Sequence, residues 1–104
     1  MSRVRVDAGI CGFITTITAK TVDGQVVELE FDSLCPHVVQ AAQALTQVDA
    51  YNELFVKPHE SGIYQTLSKH LAHSGCPMYC AVYKAIEVAA GLALPRDASL
   101  QIEK

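Results

Sequence analysis

The sequence has no tryptophan and is only 18% charged, with 8 lysines and arginines against 11 aspartates and glutamates. Its longest basic stretch is Arg3-Val4-Arg5. A chain with a formal net charge of −3 and no basic cluster is a poor partner for nucleic acid or an anionic membrane surface. No apolar run approaches the ~20 residues that a transmembrane helix requires. The opening residues reach Asp7 without the apolar core of a secretory signal. Internal repeats, low-complexity segments and linkers are also missing. The cysteines form no paired C-x2-C knuckles, which removes support for a zinc finger or ribbon. The glycines are isolated or turn-forming, so no phosphate-cradling loop exists. The expectation is a cytoplasmic protein, in a compartment where disulfides are rare and grouped cysteines more often bind metal or do redox work.

What is present is enough for one packed domain over residues 1–104, since half the residues are hydrophobic. Residues 12 to 33 read as a β-hairpin, with Asp23-Gly24 as the turn signal between two alternating runs. A two-residue loop would mix polar and apolar side chains on each face. A three-residue loop, Val22-Asp23-Gly24, with Gly24 left-handed, pairs Ala19 with Val27, Ile17 with Leu29 and Thr15 with Phe31, and separates the faces. Extended further, that register sets Cys11 opposite Cys35, where directly opposed β-carbons lie about 5 Å apart.

Helices are expected next. Pro36 suits a first helical position and makes Cys35 its cap, with Val38, Val39, Ala42 and Leu45 as the buried stripe. A short helix is expected over residues 49–55. Ser61 can cap another through about His73, ended by Gly75. Cys76-Pro77 repeats the cap logic for a last helix to about Ala90, with Met78, Val82, Ala85, Ile86 and Ala89 on its apolar face. Val4 and Val6 at one terminus, and residues 98–103 at the other, alternate as strands do. The fold class is therefore α+β: a small antiparallel sheet, made of the hairpin 12–33 plus terminal strands, with helices on one face.

Cys11, Cys35 and Cys76 stand where the backbone changes direction. Free amides and the positive end of a helix dipole favour a thiolate at Cys35 and Cys76, and a thiolate is both nucleophile and metal ligand. The glycines flanking Cys11 leave room for close approach. Cys80 falls on the helix side away from the apolar stripe and is expected outside the site. His73, in H-x2-C with Cys76, is the first choice of fourth ligand; His37, Cys80 or an external group are the alternatives.

A cysteine followed by glycine before a hairpin, a second that closes the hairpin and opens a helix, and a third that opens the long last helix form a recognisable order. Over roughly Asp7 to Leu94 it resembles the IscU/NifU-type iron–sulfur cluster scaffold proteins. Phe13 stands where that family has an aspartate, and Gly75 where it has a histidine. The resemblance implies a SufE/NifU-like fold, with Cys11, Cys35 and Cys76 as the three scaffold cysteines and cluster donor or acceptor proteins as partners. Thiolate-rich sites suit zinc and iron–sulfur clusters alike, so the cofactor is one or the other. Two other functions compete: a sulfur-acceptor protein with a helix-capping nucleophilic cysteine, and a non-catalytic interaction domain in which the cysteines only pack. A conventional acid–base enzyme has less support, because Glu28 and Glu30 read as charges on a solvent face.

Overall fold

Alternation of apolar and polar side chains builds the sheet. In the computed structural model, which describes residues 1–104, strands β1 (Ser2–Asp7), β2 (Ile14–Thr21), β3 (Val26–Asp32) and β4 (Gln47–Asp49) form one antiparallel sheet in that order. Val6, Thr15, Ile17, Ala19, Val27 and Leu29 are buried on one face, whereas Arg3, Arg5, Lys20, Glu28 and Glu30 are exposed. Helices α1 (Pro36–Ala44), α2 (Ala50–Leu54), α3 (Gly62–His70) and α4 (Met78–Ala89) complete an α+β fold, with a 3-10 turn at Pro58–Glu60. α4 covers the apolar face at β1 and β2 and α1 covers it at β3, while α3 packs against α1. Val38, Ala41 and Leu45 supply the buried stripe of α1, whereas Val39 is exposed.

The hairpin register differs from expectation by two residues. Ala19 faces Leu29 and Ile17 faces Phe31, and the last pair is Thr21 with Val27. The loop runs from Val22 to Gln25, one residue longer than expected, and Asp23 closes it. Its carboxylate accepts the N–H groups of Gln25 and Val26, each at 2.9 Å, while Thr21 Oγ1 accepts that of Gly24 at 2.9 Å. These backbone donors hold the Asp23 carboxyl below its ordinary range, and Gly24 takes the left-handed φ of 80°. A two-residue slip preserves the buried face, which is why face separation alone did not choose between the two registers. It does remove the expected opposition of Cys11 and Cys35, because the same line now leads from Phe13 to Cys35.

Residues 98–103 form no strand. The sheet takes its fourth strand from Gln47–Asp49, where Val48 pairs with Val27. Three residues are too few to carry a period. Asp49 then caps α2, accepting from Tyr51 N at 3.0 Å and Asn52 N at 3.3 Å.

The helix after Ser61 is shorter than expected, ending at His70 with Leu71 buried beyond it. Ser61 precedes this helix without capping it. Its hydroxyl, 1% exposed, instead donates to Glu53 Oε2 at 2.6 Å, and that oxygen also accepts the Ile63 N–H at 3.0 Å. Tyr83 donates to Ser61 Oγ at 2.6 Å, and Tyr64 meets Tyr79 with ring centroids 5.4 Å apart, so α3 and α4 run antiparallel. Ser2, at the start of β1, donates to the carbonyl of Ala85 at 2.6 Å. That bond ties the second half of α4 to the Ser2 end of the sheet. A helix that packs on both β1 and β2 and is tied there at Ala85 has its first turn toward the opposite end.

Removing the Glu53 carboxylate with Glu53→Ala leaves two donors without an acceptor, and is expected to cost about 1–3 kcal/mol in denaturant unfolding. Burial, helped by the Glu53 charge and opposed by the Ser61 hydrogen bond, pushes the Tyr83 phenol above its usual value. The folded chain thus holds this proton more tightly than the unfolded one. The associated stability is full below the unfolded value of about 10 and is lost as pH rises through the folded value. Unfolding curves against pH should show this alkaline fall in the natural chain and a smaller one in Tyr83→Phe.

Candidate functional site

The antiparallel order carries β1 up to Asp7, β2 back down from Ile14, and β3 up again to Asp32. The β1–β2 loop, which holds Cys11, and the β3–α1 corner, which holds Cys35, are therefore at the same end of the sheet. α4 packs on β1 and β2 and is tied at Ala85 to the Ser2 end, which directs its first turn, and Cys76 just before it, toward the end that bears Cys11 and Cys35. One end of the fold thus bears the segments of all three cysteines.

Local chemistry shapes each position. Cys11 sits in a turn closed by the Gly12 N–H bonding to the Gly9 carbonyl at 2.9 Å. Gly9 and Gly12 have φ of 82° and 78°, a conformation that other residues rarely adopt, so the glycines are what permit this loop. Cys11 is exposed there.

Cys35 is the cap residue of α1 with Pro36 inside the first turn, as expected, and its side chain makes no capping hydrogen bond. Its backbone N–H donates to Ser33 Oγ at 3.1 Å, and the buried Thr15 hydroxyl donates to the same oxygen at 2.7 Å. Ser33 therefore ties β2 to the corner that holds Cys35. The apolar alternation of β2 gave no sign of this role for Thr15. An inward-facing threonine across from a serine near the strand end was the available signal.

Cys76 stands one step further from its helix than expected. The residue flanking α4 is Pro77, in helical conformation, so Cys76 belongs to the preceding turn. That turn is closed by Cys76 N–H donating to the His73 carbonyl at 3.2 Å. It keeps the α-carbons of His73 and Cys76 within about 7 Å of each other. Cys35 and Cys76 are half-buried against the hydrophobic core; His73, His37 and Cys80 are exposed.

These residues share a region without forming a ready ligand set. No group of three or more histidine, cysteine, aspartate or glutamate side chains stands close enough to hold a metal ion. All four cysteines are free thiols. The donor chemistry suits a thiophilic ion or cluster, while the spacing would have to close for one to bind.

Fold and site together define a small α+β protein with thiol-bearing turns at one end of an antiparallel sheet. The chain belongs to a family of unknown function (DUF6951), whose model matches residues 2–102. No curated protein and no solved structure matches the chain.

Exposure orders the thiols. Timed alkylation read by mass spectrometry should modify Cys11 and Cys80 first and Cys35 and Cys76 later, with all four reacting together once the chain is denatured.

Proposed function

We propose that the protein binds zinc or an iron–sulfur cluster through Cys11, Cys35 and Cys76, with His73 as the fourth ligand, and that it acts as a carrier or scaffold rather than as an enzyme. The observation that carries this reading is topological. Strand order and the direction of α4 bring three cysteine segments, distant in sequence, to one end of the sheet. The order of these cysteines along the chain, with its likeness to IscU/NifU-type scaffolds, supports the same reading.

Binding on this account is coupled to movement of the Cys11 turn toward Cys35 and Cys76, since the donors do not stand together beforehand. Cys35 and Cys76, packed against the core, supply the fixed part of the set. Cys11 supplies the adaptable part, because a β-carbon placed at Gly9 or Gly12 would meet nothing within 4 Å. A thiolate-rich set supplies soft donors to zinc or to the irons of a cluster. Cluster donor or acceptor proteins would be the partners.

A second reading, sulfur acceptance on Cys35, draws on its cap position at α1 with no side-chain hydrogen bond of its own. It differs in outcome: Cys35 would then alkylate faster than the more exposed Cys11.

Anaerobic purification followed by metal analysis and a visible spectrum tests the main proposal, together with zinc titration of the metal-free chain against a competing chelator. Near-stoichiometric zinc or a cluster spectrum is expected. Cys11→Ser, Cys35→Ser and Cys76→Ser should each lower affinity by at least the ~10–100-fold that loss of an outer-sphere partner costs. Cys80→Ser should leave it unchanged. A chain that takes up neither zinc nor a reconstituted cluster defeats the proposal.

A further inference from the structure

β1 is an edge strand, and its outer side is open. Apart from its ladder with β2, no backbone hydrogen bond engages residues 2–7. Val4 faces the helix layer yet is only half-buried. Open edges of this kind are templates for another strand.

The chain also carries a strand-like segment with nothing to pair with. Ala98-Ser99-Leu100-Gln101-Ile102-Glu103 alternates in period two, yet Leu100 is 84% and Ile102 91% exposed. The family match runs to residue 102 and so takes in all of this segment but Glu103.

Charge decides how the two would pair. In a parallel arrangement that brings Leu100 and Ile102 beside Val4 and Val6, Glu103 lies next to Asp7, and like charges meet. In the antiparallel arrangement Ile102 lies beside Val4 and Leu100 beside Val6, while Glu103 lies beside Arg3, Gln101 beside Arg5 and Ser99 beside Asp7. Apolar residues then share the helix side, and opposite charges share the exposed side.

The same arrangement excludes the chain's own edge. Its first residue, Ala98, would stand level with Ala8, beyond the top of β1. The segment leaves α4 below Ser2, because Ala85 bonds to Ser2 and the helix continues to Ala89. Climbing past β1 takes about 20 Å, and the overhang of α4 adds about 6 Å. The chain is free only from Leu92, whose N–H is held by the Glu87 carbonyl at 2.9 Å. The stretch from Leu92 to Ala98 reaches at most about 20 Å, before any reversal of direction.

We propose that residues 98–103 pair antiparallel with the β1 edge of a second copy of the chain, and that reciprocal exchange gives a two-fold dimer with the sheet of each copy extended to five strands. The symmetry closes the assembly, since each copy offers one segment and one edge.

Light scattering coupled to size exclusion, over a concentration series of the full chain, tests this. A dimer is expected, and a chain ending at Asp97 should be monomeric with its thermal midpoint retained. Glu103→Arg should weaken the dimer about tenfold through its two symmetric contacts, and Arg3→Glu combined with Glu103→Arg should restore it. The charge swap stands as a test even if the shortened chain fails to fold. A full chain that stays monomeric into the millimolar range overturns the proposal, as does a shortened chain that still dimerises. So does a Glu103→Arg dimer of unchanged affinity.

Discussion

One-sided burial of the antiparallel sheet is the constraint on which the rest depends. Ile17, Ala19 and Val27 are fully enclosed while Lys20, Glu28 and Glu30 on the same strands face water. A one-residue slip would turn that order inside out, so pairing can shift only in steps of two. Within that restriction the Asp23 turn selects the register, because its carboxylate holds two amides at the loop. The register in turn decides where β3 ends, and with it the position of the Ser33 corner and of Cys35. A surface turn thus sets the location of a thiol at the far end of the hairpin.

Much of this was legible in the residues, for reasons that differ by element. The hairpin faces, the Cys35-Pro36 helix start and the apolar stripe of α4 are local patterns, and each follows from periodicity or from the missing N–H of proline. Cys80 is exposed because helical phasing puts it opposite Val82 and Ala85. Two misreadings are local: the hairpin register turns on the Asp23 hydrogen bonds within its own loop, and Pro77 rather than Cys76 flanks α4. The others are non-local. Glu53 caps α3 from another helix, so Ser61, which has the right identity for a cap, is drawn elsewhere. β4 is too short for alternation to mark it, and it exists because the chain leaving α1 returns alongside Val27. Residues 98–103 carry a clear strand pattern without forming a strand, since a strand needs an edge within reach as well as a pattern.

The site follows the same division. That three cysteines stand at chain reversals was readable, and the topology brings those reversals to one end of the sheet. Their exposure differs in a way no spacing rule anticipates. Cys35 and Cys76 lean on the core, and Cys11 rides on a glycine-flanked turn. Hydrophobic packing thereby holds two thiols, while the third is held only by its own turn. A centre assembled on such parts would be loose on one side, which suits a protein that takes up and releases its cargo better than a purely structural metal site.

The proposal that the three cysteines act together is tested most directly by counting sulfur ligands. X-ray absorption at the zinc edge of the anaerobically loaded chain should report three sulfur scatterers at about 2.3 Å and one lighter ligand. A metal environment with one sulfur or none, or a chain that retains no metal to measure, would contradict the account.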